Sequence, residues 1–419
     1  MKTKSYIIFT LTVALLLLFP SCLKQEAETF NGTYDNVLVI CTVAYNNLSS
    51  DTKRNITDVC NSPLPMKDGR KAVVVFTHNS VSDADYTTPT NPCIIRIYAD
   101  WNGKAVLDTL KRFPTDAMMT DAQTLREGLQ FIKDSFPSSR YGVIYSSHGT
   151  GWLPSRYYDK AEPSPLGLRK TSRNEPKLKS IGCIGKYNGT QLDVFETEIR
   201  DFSQAFPMHL NYLILDACLM GGIEVAYELK DVADEIVFSQ SEILSTGFDY
   251  KRATVRLLQP PVPDPRGFAE DYYNYYNAQT GSRQSAAISV IRTSELKGLA
   301  AVCKDIFAKY RDEFDSLSPA TIQYYFRQGK HYFYDFGDII SHVRLSAEDK
   351  ARFDGAMAKC ITYKAATKHI LSEIDVNCHS GFSSYLPSAV SAKEHVELDY
   401  FYRNYAWNKD TEYLKYLEF

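Results

Sequence analysis

Along the first half of the chain, near-continuous apolar runs of strand length recur: NVLVICTVAY at 36–45, KAVVVFTH at 71–78, CIIRIYAD at 93–100, YGVIYSSHG at 141–149, HLNYLILDAC at 209–218 and EIVFSQSE at 235–242. Runs that stay apolar on both alternate positions mark strands covered on both faces, as parallel sheets require. The segments between them carry apolar residues at helical spacing, in DAQTLREGLQFIKDSF at 121–136, in a stretch over 193–205 and in IEVAYELKDVA at 223–233. Strand and helix patterns in alternation predict an α/β/α sandwich built on a mainly parallel sheet.

Beyond PPVPDP at 260–265 the texture changes to Tyr-rich helical segments (AEDYYNYYN, ELKGLAAVCKDIFAKYRDEF, DFGDIISHV), one strand-like run, AAISVIRT, and a last extended piece, GFSSYLP. This predicts a core over 36–260 with a C-terminal helical subdomain over 261–419 packed on it. One part of the core breaks the pattern. Residues 153–187 hold four prolines, eight Lys or Arg and three acidic residues with little apolar periodicity, which predicts an exposed, mobile loop because so little apolar surface is available to order it.

Over 419 residues, 44% hydrophobic and 23% charged is the composition of a globular protein, and it excludes wholesale disorder and a multi-span membrane protein. A net charge of -3 offers no basic field for a phosphate backbone, so nucleic acid is not a partner. The 29 tyrosines suggest solvent-facing surface of the kind that handles peptides or carbohydrate. At the N-terminus Lys2 and Lys4 precede the apolar run YIIFTLTVALLLLF and then Pro20-Ser21-Cys22, the order of a secretory signal. That run is shorter than the ~20 apolar residues of a membrane-spanning helix. A small residue before a Cys at the end of such a run resembles a bacterial lipobox. The expectation is a signal peptide over 1–21, lipidation of Cys22, a tether over 22–35, and a mature protein held outside the cytoplasm at the outer membrane or cell surface. The other eight cysteines are irregularly spaced with no C-x-x-C, so neither a disulfide scaffold nor a zinc ribbon fits.

Candidate chemistry gathers at two strand ends, where ligands bind in open parallel sheets. His148 follows YGVIYSS and precedes Gly149-Thr150-Gly151-Trp152; Cys218 follows HLNYLILDA and precedes Leu219-Met220-Gly221-Gly222 and a helical pattern. Either residue alone reads as a loop histidine or a core cysteine. Together they supply a thiolate favoured near a helix start, an imidazole to protonate a leaving amine, and backbone amides for an oxyanion, the parts acyl transfer needs. No G-x-S-x-G elbow, H-E-x-x-H or Walker A sequence occurs. Asp335-Phe336-Gly337 lacks every companion of a kinase motif and reads as a helix start. Cys378 and His379, adjacent in an extended segment, should point to opposite faces and make no dyad.

The chain resembles the clostripain family of cysteine peptidases, which share the caspase-like fold, at SHGTGW (147–152), LDACLM (215–220) and EVAYELKDVADEIVFSQSE (224–242), with fainter similarity at AYNNL (44–48) and SGFSSYLP (380–387). The resemblance implies a His148–Cys218 dyad without a third member and an oxyanion held by the amides of Gly149 and Cys218. It also implies cleavage after Arg or Lys, directed by acidic residues in the pocket. Asp216 matches one of these, while Glu242 and Asp249 both lie in the loop expected to supply a second, and the choice between them stays open. No cofactor or metal is implied, and no signature in the chain decides a calcium requirement. The implied partners are peptides or proteins with Arg or Lys before the scissile bond, and a membrane through the lipid anchor. Two other readings compete: a catalytically idle caspase-like lipoprotein that binds peptide or glycan, and a cysteine hydrolase or transpeptidase that turns the same dyad on an envelope substrate. A peptidase of this specificity would find its own substrate in the exposed loop, at Arg156, Lys160, Arg169, Lys170, Arg173, Lys177, Lys179 or Lys186. Self-cleavage there is expected, since nicking concentrates at exposed loop tips.

Overall fold

The structure is a computed structural model describing residues 30–81, 88–154, 184–188, 191–327, 331–389 and 392–414. The signal segment, Cys22, and the loop positions Arg156, Lys160, Arg169, Lys170, Arg173, Lys177 and Lys179 lie outside the described residues. The strands run in chain order as β1 (Asn36–Ala44), β2 (Lys71–Asn79), β3 (Cys93–Ala99), β4 (Ala105–Arg112), β5 (Tyr141–Ser146), β6 (Ile184–Asn188), β7 (Gln191–Phe195), β8 (Leu210–Asp216), β9 (Ala233–Phe238), β10 (Ala287–Arg292), β11 (Tyr334–Asp335) and β12 (Ile361–Ala366).

Nine of them form one sheet in the order β12-β10-β9-β8-β5-β1-β2-β3-β4. The five central strands, β9-β8-β5-β1-β2, are parallel to one another, and an antiparallel pair flanks them on each side. All nine residues of β1 and all six of β5 are buried, which is what the unbroken apolar runs demanded. Helices cover both faces. Ala122–Ser135, Ile199–Gln204 and Ile223–Glu228 pack in succession as one layer, whereas Ser49–Cys60 packs on the turn Tyr250–Arg252 and Pro265–Asn277 packs across β9, β10 and β12.

Several expectations are corrected. The run at 93–100 is antiparallel to β2 rather than part of the parallel set. The stretch over 193–205 is helical only from Ile199; Gln191–Phe195 alternates polar and apolar residues and pairs antiparallel with β6, the two-residue period winning over a helical reading. The segment 153–187, expected as a loop throughout, enters β6 at Ile184. Past residue 260 the chain does more than pack on the sheet, because β10 and β12 extend it.

Most of the described tyrosines are interior, although Tyr275 and Tyr400 are exposed. Ten of the twelve largest fully buried side chains are Tyr, their rings filling the core while several of their hydroxyls find partners, as in Tyr385 to Asp399 at 2.8 Å and Tyr402 to Glu224 at 2.7 Å. Asp335 caps the helix Phe336–Ser341 by accepting the Asp338 amide at 2.8 Å, the expected helix start. Cys378 and His379 do not diverge. Both reach one buried cluster, the thiol toward Asp335 and the ring toward Tyr325, whose hydroxyl donates to Asp335.

Candidate active site

β5 and β8 are neighbours in register, with Ser146 opposite Asp216. Side chains of paired residues share a face, and Ser146 Oγ donates to Asp216 Oδ2 at 2.9 Å. His148 and Cys218 each lie two positions past this pair, in the turns that leave the carboxyl end of the sheet. The Ser147 amide donates to the Asp216 carbonyl at 3.4 Å and keeps the two chains together past the last paired residues.

The two turns then touch backbone to backbone. A Cβ on Gly149 would stand 2.4 Å from the Cys218 carbonyl oxygen, and one on Gly151 would stand 2.6 Å from the Leu219 oxygen. Glycine is required at both positions, and Gly151 also takes φ +60°. Leu219 itself has φ +61° without being glycine, a conformation that costs about 1–2 kcal/mol. It is held by its amide donating to the Ser241 carbonyl at 3.0 Å and by the Gly221 amide donating to Ser239 at 2.7 Å.

Cys218 is fully buried, and its sulfur accepts the Ile243 amide at 3.1 Å. Its thiol also lies 3.6 Å from the Ile243 carbonyl. The helix anticipated behind it starts at Ile223 and is six residues long, so the amide that addresses the sulfur comes from the loop after β9 instead. His148 is 8% exposed and its Nε2 donates to Asn47 Oδ1 at 2.9 Å, which assigns the lone pair of the neutral ring to Nδ1. Asn47 follows β1 in a turn where Asn46 Oδ1 accepts the Leu48 amide at 2.8 Å. Neither Asn47 nor Ile243 was singled out by sequence reasoning; AYNNL carried the only signal for Asn47.

The acidic residues scatter. Asp216 is fully buried and accepts from Ser146 Oγ and, at 2.8 Å, from Tyr250. Glu242 is buried beside Arg327, with Nε to Oε2 at 3.1 Å; burial pushes its carboxyl up to about 7 against the pull of Arg327. Asp249 accepts the Lys251 amide at 3.1 Å and caps the turn Tyr250–Arg252. The other cysteines within the described residues are unbridged, and burial drives the Cys41, Cys360 and Cys378 thiols up to about 12. No group of three or more His, Cys, Asp or Glu that could hold a metal occurs among the described residues.

The clostripain family model matches residues 41–417, starting in the middle of β1. The chain belongs to the clostripain family of cysteine peptidases. Clostripain of Hathewaya histolytica is 25% identical over 179 residues, 39% of this chain and 30% of that protein, so the chain spans under a third of that relative's length. Two solved structures superpose over 91% of the chain at 23% identity: an inactive protease zymogen from Parabacteroides distasonis, with a TM-score of 0.72 over 99% of that chain, and a secreted cysteine protease from Bacteroides thetaiotaomicron, with 0.71 over 100%. The fold is thus the caspase-like fold of clostripain-family proteases. In family terms, SHGTGW and LDACLM are the two turns that meet at Gly149 and Cys218.

Proposed function

We propose that the protein is an endopeptidase that cuts after Arg or Lys using Cys218 as nucleophile and His148 as proton carrier. The observation that supports it best is the close approach of the two turns that carry these residues, which follow the Ser146–Asp216 pair and touch at Gly149 and the Cys218 carbonyl. The Cys218 thiol passes its proton to Nδ1 of His148, and the thiolate, stabilised by the Ile243 amide, attacks the scissile carbonyl; a C–S bond forms as the carbonyl π bond opens, and the oxyanion is received by the amides of Gly149 and Cys218. As the tetrahedral species collapses, the C–N bond breaks and His148 gives its proton to the departing amine. Water then attacks the thioester, His148 takes up its proton, and the thiolate leaves. With Nε2 engaged by Asn47, Nδ1 is the nitrogen that exchanges the proton. Asp216 places a buried negative charge beneath the site and favours a cationic side chain before the scissile bond. Glu242 and Asp249, engaged with Arg327 and the Lys251 amide, are less suited to that role.

The same reading carries the protein out of the cytoplasm on a signal peptide and anchors it through lipid on Cys22. It also includes self-cleavage between β5 and β8, whose ladder and core packing would hold the two pieces together. A panel of fluorogenic peptides with Arg, Lys, Gln or Leu before the scissile bond tests the activity. Basic substrates should turn over, and His148→Ala should abolish that turnover; a wild type inert on the whole panel would favour the idle binding protein. On denaturing gels, fragments from the wild type that disappear in Cys218→Ala support self-cleavage, and a single full-length band for both rejects it. Palmitate labelling that is lost in Cys22→Ala tests the anchor.

A further inference from the structure

A pocket of about 410 Å³ has walls that include Asp51, Leu244, Thr246, Tyr275 and Tyr276. Both walls lead directly to the reacting groups. Leu244 follows Ile243, which touches the Cys218 sulfur, and Asp51 stands in the first turn of the helix that begins two residues after Asn47, the partner of His148. Asp216 is near as well: after burial, and against the hydrogen bond to Thr246, its charge is a further push upward on the Tyr276 hydroxyl. A side chain reaching down from a peptide laid across Cys218 would enter here, its aliphatic part against Leu244 and the tyrosine rings.

Asp51 is 6% exposed. Its Oδ1 is held by Arg54, while its buried Oδ2 makes no hydrogen bond among the described residues. An acid in a first helical turn is ordinary as a complement to the helix dipole, but a buried carboxylate oxygen without a partner, on a residue that borders a pocket, is costly unless something arrives to meet it. Arg54, half exposed, and Arg283, exposed, also border the pocket; their charge is screened by water where that of Asp51 is not.

Resting on the peptidase reading above, we infer that Asp51 is a specificity-determining residue whose Oδ2 receives the cation of the residue before the scissile bond, and that it selects Lys over Arg. A guanidinium is best met by both carboxylate oxygens in a fork, and Arg54 already occupies one. An ammonium needs a single carboxylate oxygen and nearby hydroxyls, which Ser50, Ser245 and Thr246 provide.

The test compares kcat/KM on Lys, Arg and Gln peptides for the wild type, Asp51→Asn and Asp51→Glu. The wild type should prefer Lys to Arg and both to Gln. Asp51→Asn should lose about tenfold or more of the Lys-over-Gln ratio, mostly in KM, and Asp51→Glu should restore part of it. A wild type with no preference for basic residues overturns both this inference and the reading beneath it. A wild type that prefers basic residues, with the same ratio in Asp51→Asn, overturns the inference alone. A second measurement needs no variant: n-butylammonium should protect the wild-type thiol from iodoacetamide better than n-butylguanidinium. Equal or reversed protection overturns the choice of Lys.

Discussion

Cys41 and Cys218 are both fully buried, one on β1 and the other two residues past the end of β8, with only β5 between those strands, yet they stand in opposite environments. Cys41 sits mid-strand among apolar side chains, and burial pushes its thiol up to about 12. Cys218 sits just past a strand end, where the Ile243 amide points at the sulfur. Withdrawal from water disfavours a thiolate at Cys41. What separates them is a donor aimed at one sulfur and absent from the strand surroundings of the other, so depth in the fold says little about reactivity until nearby dipoles are counted.

The sharpest way to break this comparison is to remove each sulfur. Cys218→Ala should lower kcat/KM on a basic peptide more than about 10³-fold, since it deletes a covalent nucleophile. Cys41→Ala should leave kcat/KM within about twofold and cost about 1 kcal/mol of stability. Comparable activity losses in the two variants would erase the distinction.

The loop that brings Ile243 to the sulfur is anchored one residue earlier by Glu242. In an unfolded chain this carboxyl ionises near 4.5, and in the folded protein near 7. Its contribution to stability is thus complete below about 4.5 and is lost as pH rises through about 7. Urea unfolding at pH 5 and pH 8 should show wild type falling relative to Glu242→Gln by up to about 3 kcal/mol. A gap independent of pH would mean that Arg327 keeps the carboxylate ionised throughout.

On the other side of the Cys218 turn, Glu224 is fully buried, with Oε1 accepting from Ser384, the Tyr385 amide and Tyr402. Tyr402→Phe removes one of these bonds and should cost about 1.5 kcal/mol in denaturant titration; no change would show that the remaining donors suffice. Smallest of all, Asp249→Asn should stay within about 0.5 kcal/mol and leave the order of preferred substrates alone, because its carboxylate caps a turn. A changed order would return Asp249 to the pocket.

What could be read in advance followed from burial of apolar side chains. The central strands announced themselves because β1, β5 and β8 are apolar on both faces, and their ends carried His148 and Cys218 with the glycines that let the turns meet. The helix Ser49–Cys60 stayed hidden because its inward face is largely polar: Ser49, Asp51, Thr52 and Asn55 are buried there beside Val59, and Thr52 bonds Asn79 at 3.0 Å. Such a helix shows no apolar stripe. β4 was missed for a related reason, since it alternates half-buried and exposed positions with charges among them. The partners of His148 and Cys218 were illegible because they come from elsewhere in the chain: Asn47 lies 101 residues from His148 and Ile243 lies 25 from Cys218. The tyrosines misled because a large amphipathic ring suits surface and core alike, and here buried acids and carbonyls accept from hydroxyls such as those of Tyr385, Tyr402 and Tyr405.

The two outermost strands have a consequence for how copies of this protein meet. Among the described residues, β4 and β12 each leave one side of their backbone without a neighbouring strand in the sheet. A second molecule could in principle zip onto either rail and continue the ladder indefinitely. β4 carries Asp108, Lys111 and Arg112, and β12 carries Lys364 near its middle. An incoming strand would have to strip water from these charges to form its first bonds, the device by which soluble proteins keep open sheets from propagating. Even where molecules are crowded side by side, the ladder should end at nine strands.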